Sequence, residues 1–152
     1  MHNRFAKTSN VKNFLAAYTK TEERGAREAC WLLATGTPGL GKTKTVHWFS
    51  ANNNAIYIRA KANWRTLWML QEIAGELGLD AAGNVRDVFG QVLGALVAGG
   101  RPLVIDEARN LLHDAKLLET LRDLSDTSEN TIVLSGEEFV LKRLTTDRKS
   151  VV

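Results

Sequence analysis

Eight residues, GTPGLGKT from Gly36 to Thr43, combine three glycines, a proline and a single lysine. That mixture does not pack a core, but it suits a backbone cradle for phosphate. The spacing is G-x-x-x-x-G-K-[ST], with a short apolar run before it and a helix-compatible stretch after it. Gly36, Gly39 and Gly41 permit backbone conformations barred to other residues. Successive amide N–H groups then turn inward around a phosphate chain, and the following helix adds its own unpaired N–H groups and positive end. Lys42 supplies a point charge for β and γ phosphates, and the Thr43 hydroxyl is placed for Mg2+. The candidate nucleotide-binding set is Gly36, Thr37, Pro38, Gly39, Leu40, Gly41, Lys42, Thr43 and Lys44.

A second constellation is LVIDE, Leu103 to Glu107. Four apolar residues carry a strand through a core, and Asp106 emerges at its C-terminal end. In a parallel sheet that is also the edge where the Lys42 loop lies. Asp106 is then a candidate for fixing Mg2+ through water, and Glu107 for orienting and polarising an attacking water. Together the two motifs describe a site that holds a nucleoside triphosphate and offers a carboxylate to activate water.

The elements that must position these groups follow from apolar periodicity. CWLLATG reads as a buried strand that stops at the loop, and KTKTVHWFSA continues from the loop as a helix. NAIYIRA is strand-like. NWRTLWMLQEIAGELG places Leu67, Leu70, Ile73, Ala74 and Leu77 on one helical face and ends at Gly78. NVRDVFGQVLGALVAGG has helical period through Val85, Val88, Phe89, Val92, Leu93 and Leu96. RPLVIDEA is a buried strand, DAKLLETLRDLSD an amphipathic helix, and NTIVLSG another apolar strand. EEFVLKRL, acidic first and basic last, suits a helix dipole, and NVKNFLAAYTK near the start is amphipathic. Strands alternating with helices predict an α/β fold: a mostly parallel sheet covered on both faces, with three α/β/α layers.

The bulk numbers fit one globular domain. The chain has 152 residues, 44% of them hydrophobic and 24% charged, with a net charge of +3. That mild basicity permits a nucleic-acid partner without requiring one. A single cysteine, Cys30, excludes an internal disulfide. No apolar run approaches the roughly 20 residues of a membrane span, and the polar start does not read as a secretory signal, so the expectation is a cytoplasmic protein. The expected organisation is an N-terminal helix and connector over 1–27 and a nucleotide-binding core over 28–152.

With these motifs in this order the chain resembles the AAA+ ATPases. More narrowly it resembles the target-DNA activator ATPases of transposition typified by the B protein of phage Mu. The match is carried by GTPGLGKTKT, by LVIDEARNL followed by LLETLRDLSD, and by NTIVLSGEE. The resemblance implies a Walker A motif at Gly36–Thr43, Walker B at Asp106 and Glu107, and a sensor 1 residue at Ser135 that faces the γ-phosphate and positions the water. On its own, a serine here reads more often as a turn residue. The resemblance also implies ATP and Mg2+ as cofactors, double-stranded DNA and a transposase as partners, and a homo-oligomer on DNA. Basic residues after the second strand, here Arg59, Lys61 and Arg65 in IRAKANWR, would face DNA; the alternative is an ordinary solvated surface. Trp64 and Trp68 nearby offer base stacking, although helical spacing favours a core role. The stretch around Asn10 and Val11 resembles an adenine contact, or equally a plain amphipathic helix.

The sequence departs from the AAA+ pattern after sensor 1. A fifth strand beside the P-loop strand and a helical lid are expected to be lacking, and Ser150 is followed by Val151 where a serine–arginine pair is usual. Arg143 or Arg148 is the remaining candidate for a finger that reaches a neighbour's γ-phosphate. Two other functions share these motifs: a non-catalytic nucleotide-binding or assembly module, and a helicase or clamp loader of replication.

Overall fold

The computed structural model describes residues 31–34 and 42–137, with side chains described from residue 44 onward. The elements are β1 (Trp31–Ala34), α1 (Lys42–Asn52), β2 (Ile56–Arg59), α2 (Thr66–Glu76), α3 (Val85–Gly99), β3 (Leu103–Asp106), a 3-10 turn (Ala108–Leu111), α4 (Ala115–Ser128) and β4 (Ile132–Ser135). The four strands form one sheet in the order β1-β4-β3-β2. Every neighbouring pair is parallel.

The two central strands are buried along their whole length, as expected of a parallel sheet covered on both sides. Alternate residues feed two cores. Ile56, Ile58, Leu103, Ile105, Ile132 and Leu134 pack against α2, α3 and α4. Val104 and Val133 point the other way, onto Val46 and Phe49 of α1, with Tyr57 partly buried beside them. The chain crosses from β1 to the far edge strand β2 through α1, then returns through β3 to β4. Right-handed crossovers in opposite directions place their helices on opposite faces, which gives the three layers.

Local signals account for the helix ends. Asn84 caps α3 in a capping box: its side chain accepts from the Asp87 N–H at 2.9 Å, and the Asp87 carboxylate accepts from the Asn84 N–H at 3.3 Å. Gly100 closes the same helix at φ 64°, a left-handed conformation that glycine adopts without penalty. Asp114 caps α4 by accepting from the Lys116 N–H at 3.0 Å.

Three sequence expectations need correction. The helix read from NWRTL begins at Thr66, because residues 62 and 63 form a turn. Trp64 therefore enters the core from a loop and is fully buried, whereas Trp68, on α2, stays 37% exposed. Val85, placed by periodicity on the apolar face of α3, is exposed; it is the first residue of the helix, where packing from a preceding turn is missing. The NVKNFLAAYTK and EEFVLKRL helices, Asn10, Val11 and Cys30 lie outside the described residues.

Candidate functional site

The site is built by register. Ala34 pairs with Ser135, and Arg59 pairs with Asp106. Ser135 and Asp106 each stand one residue beyond the Ile105–Leu134 pair. The last residues of all four strands thus form one row, Ala34–Ser135–Asp106–Arg59, at the C-terminal edge of the sheet. The 35–41 connection leaves from Ala34 at this edge, and α1 begins at Lys42. With parallel strands about 4.8 Å apart, two strand spacings, about 10 Å, separate the Ala34 and Asp106 positions. Parity fixes the face as well: Tyr57, Arg59, Val104, Asp106, Val133 and Ser135 share the side covered by α1.

Asp106 is 2% exposed. Its Oδ1 accepts from the Glu107 N–H at 2.9 Å, and its Oδ2 accepts from the Tyr57 hydroxyl at 2.6 Å. Burial, reinforced by the bond to Asp106, pushes the Tyr57 hydroxyl up to about 12. Arg59 is held above its ordinary value, first by its bond to the Tyr57 hydroxyl. Glu107 adopts φ 56° and ψ 46°, a left-handed conformation uncommon outside glycine, asparagine and aspartate. Such local strain is retained where the surroundings over-determine it. Glu107 Oε1 lies 2.6 Å from Arg109 Nη1; the pair is close in charge but misaligned for a hydrogen bond.

Ser135 is fully buried, and among the described residues its Oγ has no hydrogen-bond partner. An orphaned buried hydroxyl costs free energy unless something meets it. Together with a buried carboxylate whose two oxygens each take one donor among the described residues, it fits a site for a phosphorylated ligand and its metal. Lys44 is exposed on the first turn of α1. Lys42 and Thr43 open α1, but their side chains lie outside the description, as do Gly36, Thr37, Pro38, Gly39, Leu40 and Gly41.

The basic segment after β2 leaves from the same edge. The Ala60 N–H donates to the Asp106 carbonyl at 2.9 Å, and Asn110 Nδ2 donates to the Ala60 carbonyl at 2.9 Å. His113 Nε2 lies 2.9 Å from the Trp64 carbonyl. These bonds tie residues 60–64 to the turn that follows Glu107. Arg59, Lys61 and Arg65 are exposed. Lys61 pairs with Glu72 at 3.1 Å and lies 6.0 Å from the centre of the Trp68 ring, whose indole N–H also meets Glu72. Arg143 and Arg148 lie outside the described residues.

Tyr57 and Arg109 were not legible as site residues. Tyr57 reads as one more strand aromatic, and Arg109 as a surface charge. The only signal for Tyr57 is its two-residue spacing from Arg59, which becomes informative once β2 is known to flank β3.

A family model described as an AAA domain matches residues 26–144. The ATP-dependent target DNA activator B of Escherichia phage D108 and that of Escherichia phage Mu are each 29% identical over 151 residues, 97% of this chain and 46% of the relative. The chain thus spans about half the length of the curated relatives it matches. The solved structure of C. elegans PCH-2 is similar at a TM-score of 0.49 and 16% identity, covering 93% of this chain and 41% of that one. Among the described residues no helix is long and apolar enough to cross a membrane. The match over residues 26–144 shows that the chain belongs to the AAA domain family, with a distant similarity to the phage B activators.

Proposed function

We propose that this chain binds ATP with Mg2+ at the C-terminal edge of its sheet, hydrolyses it, and in the ATP-bound state assembles on double-stranded DNA to support a transposase. The observation that carries the reading is the row Ala34–Ser135–Asp106–Arg59, which brings the end of the phosphate-loop strand, an orphaned hydroxyl and a buried carboxylate to one edge and one face. When bound, Mg2+ would supply positive charge against the negative charge that develops on the phosphates. Lys42, Thr43 and the loop amides would hold the triphosphate, and Asp106 would hold the metal through water. Glu107 would orient the attacking water and take its proton, with Ser135 Oγ directing it toward the γ-phosphate. Arg59 and Arg65 would meet DNA phosphates; Lys61, paired with Glu72, would contribute less. The phage relatives are ATP-dependent target DNA activators, which supports the DNA and transposition part of the reading.

Glu107→Gln tests it. The amide keeps the shape but cannot take a proton, so ATP binding and ATP-dependent DNA binding persist while phosphate release falls by about 100-fold or more. A variant that releases phosphate as fast as the parent removes Glu107 from catalysis. One observation favours a second reading, a nucleotide-binding module that does not turn over: Arg109 occupies Glu107 in the structure. Parent protein that binds ATP but releases no phosphate above background, with or without DNA, establishes that alternative.

A further inference from the structure

The Tyr57 hydroxyl belongs to no phosphate-binding motif, yet it bonds to Asp106 Oδ2 at 2.6 Å across 49 residues of sequence. The ring is held on its other side by α1, where the His47 ring centre lies 4.5 Å away at an interplanar angle of 34°. His47 lies one helical turn beyond Thr43. Tyr57 is therefore wedged between the helix that opens at the phosphate loop and the carboxylate at the end of β3. Arg59 lies two residues along the same face and beside Asp106 in register.

The two oxygens of Asp106 are thus held by different elements. The Glu107 N–H fixes Oδ1 from the turn after β3, and Tyr57 fixes Oδ2 from β2. A carboxylate gripped at both oxygens does not rotate about its last torsion, which is otherwise broad. It has about four lone-pair sites, so each oxygen keeps one for a metal-bound water.

We propose that Tyr57 is a positioning residue for the Mg2+-side carboxylate: its hydroxyl, braced by His47, sets the orientation in which Asp106 receives the hydrated metal. The proposal rests on the ATP and Mg2+ reading above. Partners that orient a metal-binding carboxylate act on metal affinity rather than on nucleotide affinity as such.

Tyr57→Phe tests it, because the variant keeps the ring against His47 and deletes only the hydroxyl. The full chain is titrated with Mg2+ at fixed ATP, reading phosphate release, and ATP affinity is measured separately in EDTA. The half-saturating Mg2+ concentration rises about tenfold, the size expected for a lost hydrogen bond to a charged group, while metal-free ATP affinity is unchanged. In an Asp106→Asn background the same substitution adds no further shift, since the hydroxyl acts through that carboxylate. An unaltered Mg2+ dependence in Tyr57→Phe overturns the positioning role, and so does an equal loss of metal-free affinity, which marks a merely structural residue. A parent protein that binds ATP with no response to Mg2+ overturns the metal assignment itself, and is told apart because the parent titration alone reveals it.

Discussion

Replacing Ser135 by alanine should move stability and activity in opposite directions. The serine closes β4, is fully buried, and its Oγ meets no partner among the described residues. A buried hydroxyl left without a hydrogen bond costs roughly 1–3 kcal/mol of desolvation. Alanine removes that cost and leaves only the space of one oxygen, a small cavity term. The net gain for the nucleotide-free protein is about 1 kcal/mol, which raises the melting midpoint by roughly 2–4 °C for a domain of this size. On the proposed function, with ATP and Mg2+ bound, the same change would delete a group aimed where the water and γ-phosphate meet. Loss of one well-placed polar group at a reacting centre costs about 100-fold in turnover. The assay is thermal or urea unfolding without nucleotide beside steady-state phosphate release with saturating Mg·ATP. A lower midpoint would show that the hydroxyl has a partner in the nucleotide-free state. An unchanged rate would show that no ligand group meets it, and either result refutes the reasoning.

Two further outcomes are expected. Arg65→Ala should lower the slope of log binding constant against log salt for duplex DNA by about 0.9, the value for one lost phosphate contact; Lys61→Ala should lower it by less, because Glu72 already neutralises that ammonium at 3.1 Å. Asn84→Ala should destabilise the fold by about 1 kcal/mol through loss of the α3 capping box, read as a lower urea midpoint with unchanged m-value and unchanged ATP affinity.

Much of the architecture was legible because the physical signals were local. Continuous apolar runs marked the central strands, with RPLVIDEA and NTIVLSG each resolving into four buried residues. Gly78 marked a helix limit through left-handed closure. Periodicity failed where burial depends on what packs from elsewhere. Trp64 and Trp68 sit four residues apart, yet only Trp64 is buried, since the chain turns before α2 begins. Val85 obeys the helical period of α3 but stands at the helix start with nothing over it.

By itself the sequence determined which chemistry was available: a glycine cradle with Lys42 and Thr43, an acidic pair at the end of an apolar strand, and a serine at the end of another. Those are properties of residue type and spacing along a few neighbouring positions. Only the tertiary structure decided which strand lies beside which. The order β1-β4-β3-β2 sets Ser135 between Ala34 and Asp106, turns their side chains to the α1 face, and brings Tyr57 onto Asp106. Pairing between strands is fixed by hydrogen bonds and side-chain packing over long sequence separations, and no local pattern in a single chain encodes it.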